Sequence, residues 1–164
     1  MIKVMYRVNK IITDPLYKEK FQRIQELEKD REFCNHTMAH FIDVARIAYI
    51  IDLEENLEID KEIIYAAAVL HDIGRADEYD NGIPHHQAGS DIAKSILSSI
   101  NEFKEDEVND IISAIKEHRS TCDHTTILGN LIYKSDKLSR NCFCCPASDK
   151  CNWSEDKKNN YLKV

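Results

Sequence analysis

His71 and Asp72 are two adjacent ionisable residues that follow a run of small apolar residues at positions 66–70. Alanine and leucine favour helix, and Gly74 follows at the place where a helix commonly ends. A neutral imidazole and a carboxylate at the buried end of a helix are costly unless a partner satisfies both of them. A divalent cation would satisfy both, whereas a helix C-cap with a His–Asp hydrogen bond is the alternative for this dipeptide alone.

Two further histidines begin an otherwise apolar stripe on a helix predicted from Phe33 to Leu53. His36 and His40 stand four residues apart, and apolar residues continue the stripe from His40 at steps of four, three and four. A lone histidine on an apolar face is usually a core residue, whereas two that face the same way favour a functional site.

Other predicted helices carry the same kinds of side chain toward the core. His118 continues the apolar stripe of one helix, and Asp136 lies on the apolar side of another, where a carboxylate needs a partner. His85 and His86 occupy the first turn of a third helix, where either could face a pocket or cap the helix. Imidazoles and carboxylates together bind Fe, Mn, Zn, Co or Ni, so the set predicts one or two divalent transition-metal ions.

The elements that would position these residues are helices throughout. No segment alternates convincingly with the period of two that is typical of a strand, and four Gly and three Pro suit long helices. Asp60 is predicted to cap one helix and Pro84 to open another, whereas residues 76–82 are predicted to form a loop. We therefore expect an all-α, single-domain helical bundle of about six or seven helices.

Three segments are expected within this one domain. Residues 1–32 form an N-terminal helical segment, residues 33–140 form the metal-binding helical core, and residues 141–164 form a Cys-rich tail packed on the same domain. A chain of 164 residues is long enough to bury a sizeable core.

The tail concentrates cysteines, with Cys142, Cys144, Cys145 and Cys151 within ten residues. They could bind a structural zinc ion or an iron–sulfur cluster separate from the histidine site, with Cys34 as a possible extra thiolate. The spacing is not that of a standard zinc ribbon, because a second Cys-x-x-Cys pair is missing. Buried, inert thiols are the alternative.

The composition bears on partners and compartment. A net charge of −7 argues against general binding to nucleic acid or anionic membranes. No apolar run approaches the roughly 20 residues that a membrane span needs, and the first residues lack the features of a signal peptide. We expect a cytoplasmic monomer or homodimer with reduced thiols and no nucleic-acid or membrane partner.

The order of the candidate ligands resembles that of the HD-domain superfamily of metal-dependent phosphohydrolases. His40 comes first, His71 and Asp72 follow within Leu-His-Asp-Ile-Gly-Arg, and Asp136 follows within Ser-Asp-Lys-Leu. The resemblance covers about residues 36–140 and implies that these four residues are the core metal ligands.

The resemblance also separates ligands from substrate contacts. It favours His40 over His36 because the family's first histidine usually stands four residues before a valine, as His40 stands before Val44. His36 would then face the substrate. Further candidates for substrate contact lie close in sequence to the ligands, and they are Arg75, Arg119, Lys137, Arg140 and His86. Each cation alone could equally be a solvated surface residue.

Two more histidines match the dinuclear, six-ligand members of the superfamily. His85 stands four residues before Gly89 at the start of a helix, and His118 lies at a helix end. His86 remains the alternative to His85.

The activity that the resemblance implies is hydrolysis of a phosphoester or phosphoanhydride bond in a small nucleotide or dinucleoside polyphosphate. Asp72 is the expected catalytic residue, as the bridge between two ions that activate the attacking water. A non-catalytic nucleotide sensor or metal/redox sensor on the same fold is the alternative.

Overall fold

The computed structural model describes residues 4–118 and 125–164, and every regular element in those ranges is helical. This confirms the predicted all-α class. The α-helices are α1 (Tyr6–Thr13), α2 (Pro15–Leu27), α3 (Met38–Glu55), α4 (Lys61–Leu70), α5 (Arg75–Asn81), α6 (His85–Ile100), α7 (Glu105–Glu117) and α8 (Ile127–Leu138). Short 3-10 turns follow at Cys142–Cys144 and Ser148–Lys150. None of these helices combines the length and apolar character of a membrane span.

Helix α4 lies at the centre of the core. Its residues from Ile64 to Leu70 are all buried, and it packs against α1, α3, α7 and α8. Three consecutive alanines allow the neighbouring helices to approach closely. The helix begins at Asp60, whose carboxylate accepts hydrogen bonds from the backbone N–H groups of Glu62 and Ile63, so the predicted N-cap forms. The buried end of α4 therefore places His71 and Asp72 inside the domain.

Helix α3 begins later than its sequence pattern indicates. Thr37 is the N-cap, and its hydroxyl accepts a hydrogen bond from the backbone N–H of His40. This cap fixes the start of the helix at Met38, so His36 precedes α3 instead of sharing its stripe with His40. The prediction that both histidines face the same way on one helix is therefore wrong, although both are buried at the same place.

Residues 76–82 form most of helix α5 and its C-terminal cap, where a loop was predicted. Asp77 and Glu78 lie in the first turn, where acidic side chains interact favourably with the helix dipole. Lys20 of α2 pairs with Asp77 at 3.0 Å and holds α5 against α2. The Asn and Gly that suggested a loop are only the end of the helix, since Gly82 adopts a left-handed φ of 70°.

Gly74 is expected to tolerate no side chain, because α5 and α6 meet there. A Cβ at this position would lie 2.2 Å from the carbonyl oxygen of His85 and 2.4 Å from the backbone N of Gly89. Gly74→Ala should therefore lower the free energy of unfolding by about 3 kcal/mol. Gly82→Ala, which meets nothing within 4 Å and strains only φ, should cost about 1 kcal/mol. Denaturant unfolding of both variants would measure the difference, and equal losses would contradict this packing.

Candidate metal centre

Six buried residues from five helices or helix ends converge at the C-terminal end of α4. They are His40, His71, Asp72, His85, His118 and Asp136, and none is more than 8% exposed. These are the six residues predicted from sequence as metal ligands. The structure therefore brings the whole set to one place.

The set divides into two groups that share Asp72. One nitrogen or oxygen from each of His40, His71, Asp72 and Asp136 lies within 4.8 Å of the others, and the same holds for Asp72, His85 and His118. Oδ2 of Asp72 is 3.1 Å from Nε2 of His71. Oδ1 is 3.4 Å from Nε2 of His118 and 3.6 Å from Nε2 of His85. Each oxygen of the Asp72 carboxylate thus faces one group.

Backbone carbonyls fix the orientation of two of the imidazoles. Nδ1 of His71 donates to the carbonyl of Ala68 at 2.6 Å, and Nδ1 of His118 donates to the carbonyl of Ile115 at 2.5 Å. A carbonyl only accepts, so Nδ1 carries the proton in both rings. Nε2 is then the ring nitrogen that faces Asp72, and once unprotonated it can bind a metal ion, as in a metal-binding histidine.

Side chains orient the other two imidazoles, and sequence reasoning missed these partners. Nδ1 of His85 is 2.9 Å from Oε2 of Glu78, and Nδ1 of His40 is 3.1 Å from the Ser139 hydroxyl. Glu78 lies seven residues before His85, in the segment that was predicted as a loop. In both residues Nδ1 is occupied by a neighbouring side chain, so Nε2 faces the centre. Metal-binding histidines are commonly oriented in this way by a partner on the second ring nitrogen.

Two buried atoms in the centre lack a hydrogen bond within the described part of the chain: Nε2 of His71 and Oδ2 of Asp72. When His71 is neutral, their separation of 3.1 Å places the lone pair of Nε2 against a carboxylate oxygen. Burying such groups without a partner costs free energy, and a proton or a cation between them removes that cost. The donor atoms and their arrangement therefore fit a divalent cation.

The charges of the cluster set its protonation. Burial would lower the pKa of His71, but Asp72 and Asp136 outweigh it and raise that pKa to about 9. Burial dominates at His40 and His85 and lowers the pKa of each to about 4, although carboxylates oppose the shift. Near neutral pH, His40 and His85 are thus in the neutral form that binds metal, whereas His71 holds a second proton.

Metal affinity is expected to rise with pH up to about pH 9. The proton on Nε2 of His71 must leave before the lone pair can bind a cation, because the pKa of His71 is raised to about 9. Binding near pH 7 should release about one proton from His71, and the apparent affinity should gain about tenfold per pH unit. Isothermal titration with Mn²⁺ in buffers of different ionisation enthalpy measures this release. Affinity that is constant between pH 6 and pH 8 would contradict it.

The predicted substrate-binding cations lie against the carboxylates of the centre. Nε of Arg75 is 2.8 Å from Oδ1 of Asp72, and Nζ of Lys137 is 2.6 Å from Oδ2 of Asp136. One guanidinium nitrogen of Arg140 is 3.2 Å from both Oδ1 of Asp136 and Nε2 of His40. Arg140 therefore contacts two of the atoms that a metal ion would contact. Arg119 lies outside the described residues.

His36 reaches the centre from the segment before α3. Its Nε2 is 3.3 Å from Oδ2 of Asp72, and its Nδ1 is 2.5 Å from Oε1 of the buried Glu28. Burial would raise the pKa of Glu28, but the hydrogen bond and charge of His36, helped by the Tyr79 hydroxyl, lower it to about 2. No sequence signal marked Glu28, since it lies in a charged stretch at the end of α2.

His86 takes a different position from its neighbour. It is half-buried and belongs to neither group of candidate ligands, whereas His85 belongs to the second group. The geometry thus places His85, and not His86, among the candidate ligand atoms.

The cysteines of the described residues are not assembled as a metal cluster. Cys34, Cys142, Cys145 and Cys151 are partly buried free thiols, and Cys144 is exposed. Among the described residues, no group of three potential ligand atoms within 4.8 Å includes a cysteine. Short 3-10 turns at Cys142–Cys144 and Ser148–Lys150 are the regular elements of the tail.

A cavity of about 890 Å³ opens beside the first group of ligands. His36, His40 and Asp136 lie at its inner end, and Arg75, Lys137 and Arg140 also line it. The tail forms another wall. This space is large enough for a small-molecule ligand next to the metal-binding atoms.

Known proteins share the fold and parts of the sequence of this chain. The HD domain family model matches residues 37–141. An uncharacterized protein of Clostridium beijerinckii is 44% identical over 155 residues, covering 94% of this chain and 97% of that protein. Ribonuclease Y of Acetivibrio thermocellus is 29% identical over 124 residues, which are 76% of this chain and 22% of that protein. A crystal structure of a predicted HD superfamily hydrolase from an uncultured Thermotogales bacterium has a TM-score of 0.62 and 25% identity, covering 87% of this chain and 80% of that one.

Proposed function

The chain belongs to the HD-domain family, and on that premise we propose that it hydrolyses a phosphoester or phosphoanhydride bond in a small nucleotide. The observation that carries the proposal is the carboxylate of Asp72, whose two oxygens face two groups of buried ligand atoms. A two-ion site of this kind suits phosphoryl transfer, since divalent ions lower the pKa of bound water and neutralise phosphoryl oxygens.

Each residue of the centre has a role in this proposal. His40, His71, Asp72 and Asp136 would hold one ion, and Asp72, His85 and His118 the second. Ala68, Ile115, Glu78 and Ser139 keep the imidazoles turned so that Nε2 faces inward. The burial of the set keeps its carboxylates and imidazoles in a fixed geometry, which reduces reorganisation during the reaction.

The cavity supplies the positive charge that an anionic substrate needs in an acidic protein. Arg140 and Lys137 line the cavity and contact Asp136, so they can reach a phosphate that is bound at the centre. Arg75 is held by Asp72 and Glu78 at 2.8 and 2.9 Å. We assign Arg75 to the orientation of Asp72 and assign Lys137 and Arg140 to the phosphate.

Lys137→Ala is expected to lower kcat/KM for the preferred nucleotide by about tenfold to a hundredfold, since a charge-assisted contact to phosphate is lost. Lys134→Ala is the matched control, because Lys134 lies on α8 like Lys137 but is exposed and pairs with Glu55 at the end of α3. Phosphate or nucleoside release is measured over a nucleotide panel with anaerobically purified, metal-loaded protein. An RNA oligonucleotide belongs in the panel, since relatives are named ribonuclease Y. Equal rates in the two variants, or no release from any nucleotide, would contradict the proposal.

A nucleotide or redox sensor is the second candidate, favoured by the free thiols that line the cavity. Cys34, Cys142, Cys145 and Cys151 all border the space next to the metal centre. A sensor would bind nucleotides or respond to thiol oxidation without turnover. The same panel separates the two, because a sensor releases no product even when both metal positions are filled.

A further inference from the structure

We propose that the C-terminal tail, residues 141–164, determines which substrate is bound, and that the Trp153 ring stacks on the base of a nucleoside phosphate. The identity of the ligand class rests on the proposed function above. The role of the tail rests on separate observations, namely its attachment to α8, its place in the cavity wall and the position of the only tryptophan in the chain.

The tail is attached to the end of the helix that carries part of the metal centre. The side-chain amide of the buried Asn159 donates to the carbonyls of Lys137 at 2.6 Å and Arg140 at 2.9 Å. The backbone N–H of Phe143 donates to the Asn159 carbonyl at 3.0 Å. Both carbonyls lie at or just beyond the C-terminal end of α8, which ends at Leu138. These hydrogen bonds fix the tail relative to Asp136.

This attachment makes the tail a wall of the cavity beyond the part of the chain that matches the family. The match ends at residue 141, whereas Cys145, Lys150, Trp153 and Lys158 line the cavity together with the metal-binding end. Buried Lys158 donates to the carbonyl of Ser148 at 3.0 Å, which closes the tail on itself. The tail therefore supplies a part of the cavity wall that lies outside the family match.

Trp153 presents a large planar surface in the part of the cavity wall that the tail forms. The ring is partly exposed, and Nζ of Lys137 lies 6.0 Å from its centroid. The same Nζ contacts Asp136 of the metal centre. The Lys137 ammonium group is therefore close to both the Trp153 ring and the candidate ligand Asp136. A phosphate near Lys137 would place the attached nucleoside beside the ring, and base–aromatic stacking is a strong and sequence-tolerant contact.

The single tryptophan allows a direct binding test on the full chain. Metal-loaded protein is titrated with adenosine 5′-monophosphate and, separately, with ribose 5-phosphate, while tryptophan fluorescence is recorded. Stacking predicts strong quenching by the nucleotide and little by the sugar phosphate, which lacks a base. Equal responses to the two probes, or no response to either, would overturn the proposal.

Matched variants then separate stacking from the mere presence of a folded tail. Trp153→Ala is expected to weaken binding of adenosine 5′-monophosphate by about tenfold in calorimetry, and Trp153→Phe should restore most of the affinity. Phe143→Ala is the control, because Phe143 is a half-exposed aromatic residue of the tail outside the cavity lining. Equal weakening by Phe143→Ala and Trp153→Ala, or no rescue by phenylalanine, would overturn the role of the ring.

These readouts do not require turnover, so they are distinct from the test of activity. Nucleotide binding that quenches Trp153 without any product release would support stacking and refute the hydrolase. Product release from nucleotides with unchanged kinetics in Trp153→Ala would support the hydrolase and refute stacking.

Discussion

Replacing Asp72 with alanine is expected to remove both metal ions and all phosphohydrolase activity. Asp72 is the residue that both groups of candidate ligands share, and its two oxygens face different groups. Metal content should fall from about two ions per chain to near zero, since losing the shared carboxylate leaves each position with fewer ligands and less negative charge. Inductively coupled plasma measurements on metal-loaded, desalted protein would show this.

Asp52→Asn is the matched control for Asp72→Ala. Asp52 is also buried, but it lies near the C-terminal end of α3, whereas His40 of the centre lies at the start of that helix. The Asp52 carboxylate accepts a hydrogen bond from the backbone N–H of Ile59. This variant should lose some stability and keep both ions. Full metal content in Asp72→Ala would remove Asp72 from the centre, whereas metal loss in Asp52→Asn would show that the measurement reports general destabilisation.

Replacing His118 with alanine is expected to remove one ion and leave the other. His118 belongs only to the second group, whereas the first group keeps all four of its ligands. Metal content should therefore fall from about two ions per chain to about one, and turnover should fall by a factor of at least about a hundred if both ions act together.

The neighbouring histidine provides the control for this second position. His85→Ala should behave as His118→Ala does, since both residues face Oδ1 of Asp72. His86→Ala should keep two ions, because His86 lies outside both groups. Two ions retained in His118→Ala, or one lost in His86→Ala, would contradict the assignment of the second position.

Cationic side chains of the protein lie against both carboxylates of this centre. Arg75 contacts Asp72, and Arg140 and Lys137 contact Asp136. Burial would raise the pKa of both carboxyl groups, but neighbouring cations and histidines outweigh it and hold each pKa well below the usual range. The two carboxylates therefore stay ionised and are ready to bind a cation.

The candidate ligands could be predicted from sequence because their signals are local. Helical spacing places His118 and Asp136 on apolar faces, and the apolar run of α4 leads directly to His71 and Asp72. A polar residue on a buried face requires a partner, so each position is conspicuous in a single sequence. Asp60 as a helix cap was predictable for the same reason, since its partners lie two and three residues away.

The side chains that position His40 and His36 could not be predicted, because the tertiary fold brings them together from distant parts of the chain. Ser139 contacts His40 across 99 positions of the chain, and Tyr79 contacts Glu28 across 51. Both are ordinary surface-type residues by sequence. Only the packing of α8 against α3 and of α5 against α2 brings them to the site.

The Cys-rich tail shows a different limit. The density of Cys142, Cys144, Cys145 and Cys151 suggested a metal cluster, yet density in sequence does not fix where the sulfur atoms point. Hydrogen bonds from Asn159 to the end of α8 lay the tail along the cavity instead. The same bonds place Trp153 in the wall, a role that no sequence motif indicated.

Anomalous diffraction from crystals of the protein grown with Mn²⁺ would locate bound ions without reference to activity. We expect two peaks on opposite sides of the Asp72 carboxylate, one within ligand distance of His40, His71 and Asp136 and the other near His85 and His118. Peaks that lie elsewhere, with no ion in contact with Asp72, would contradict this expectation.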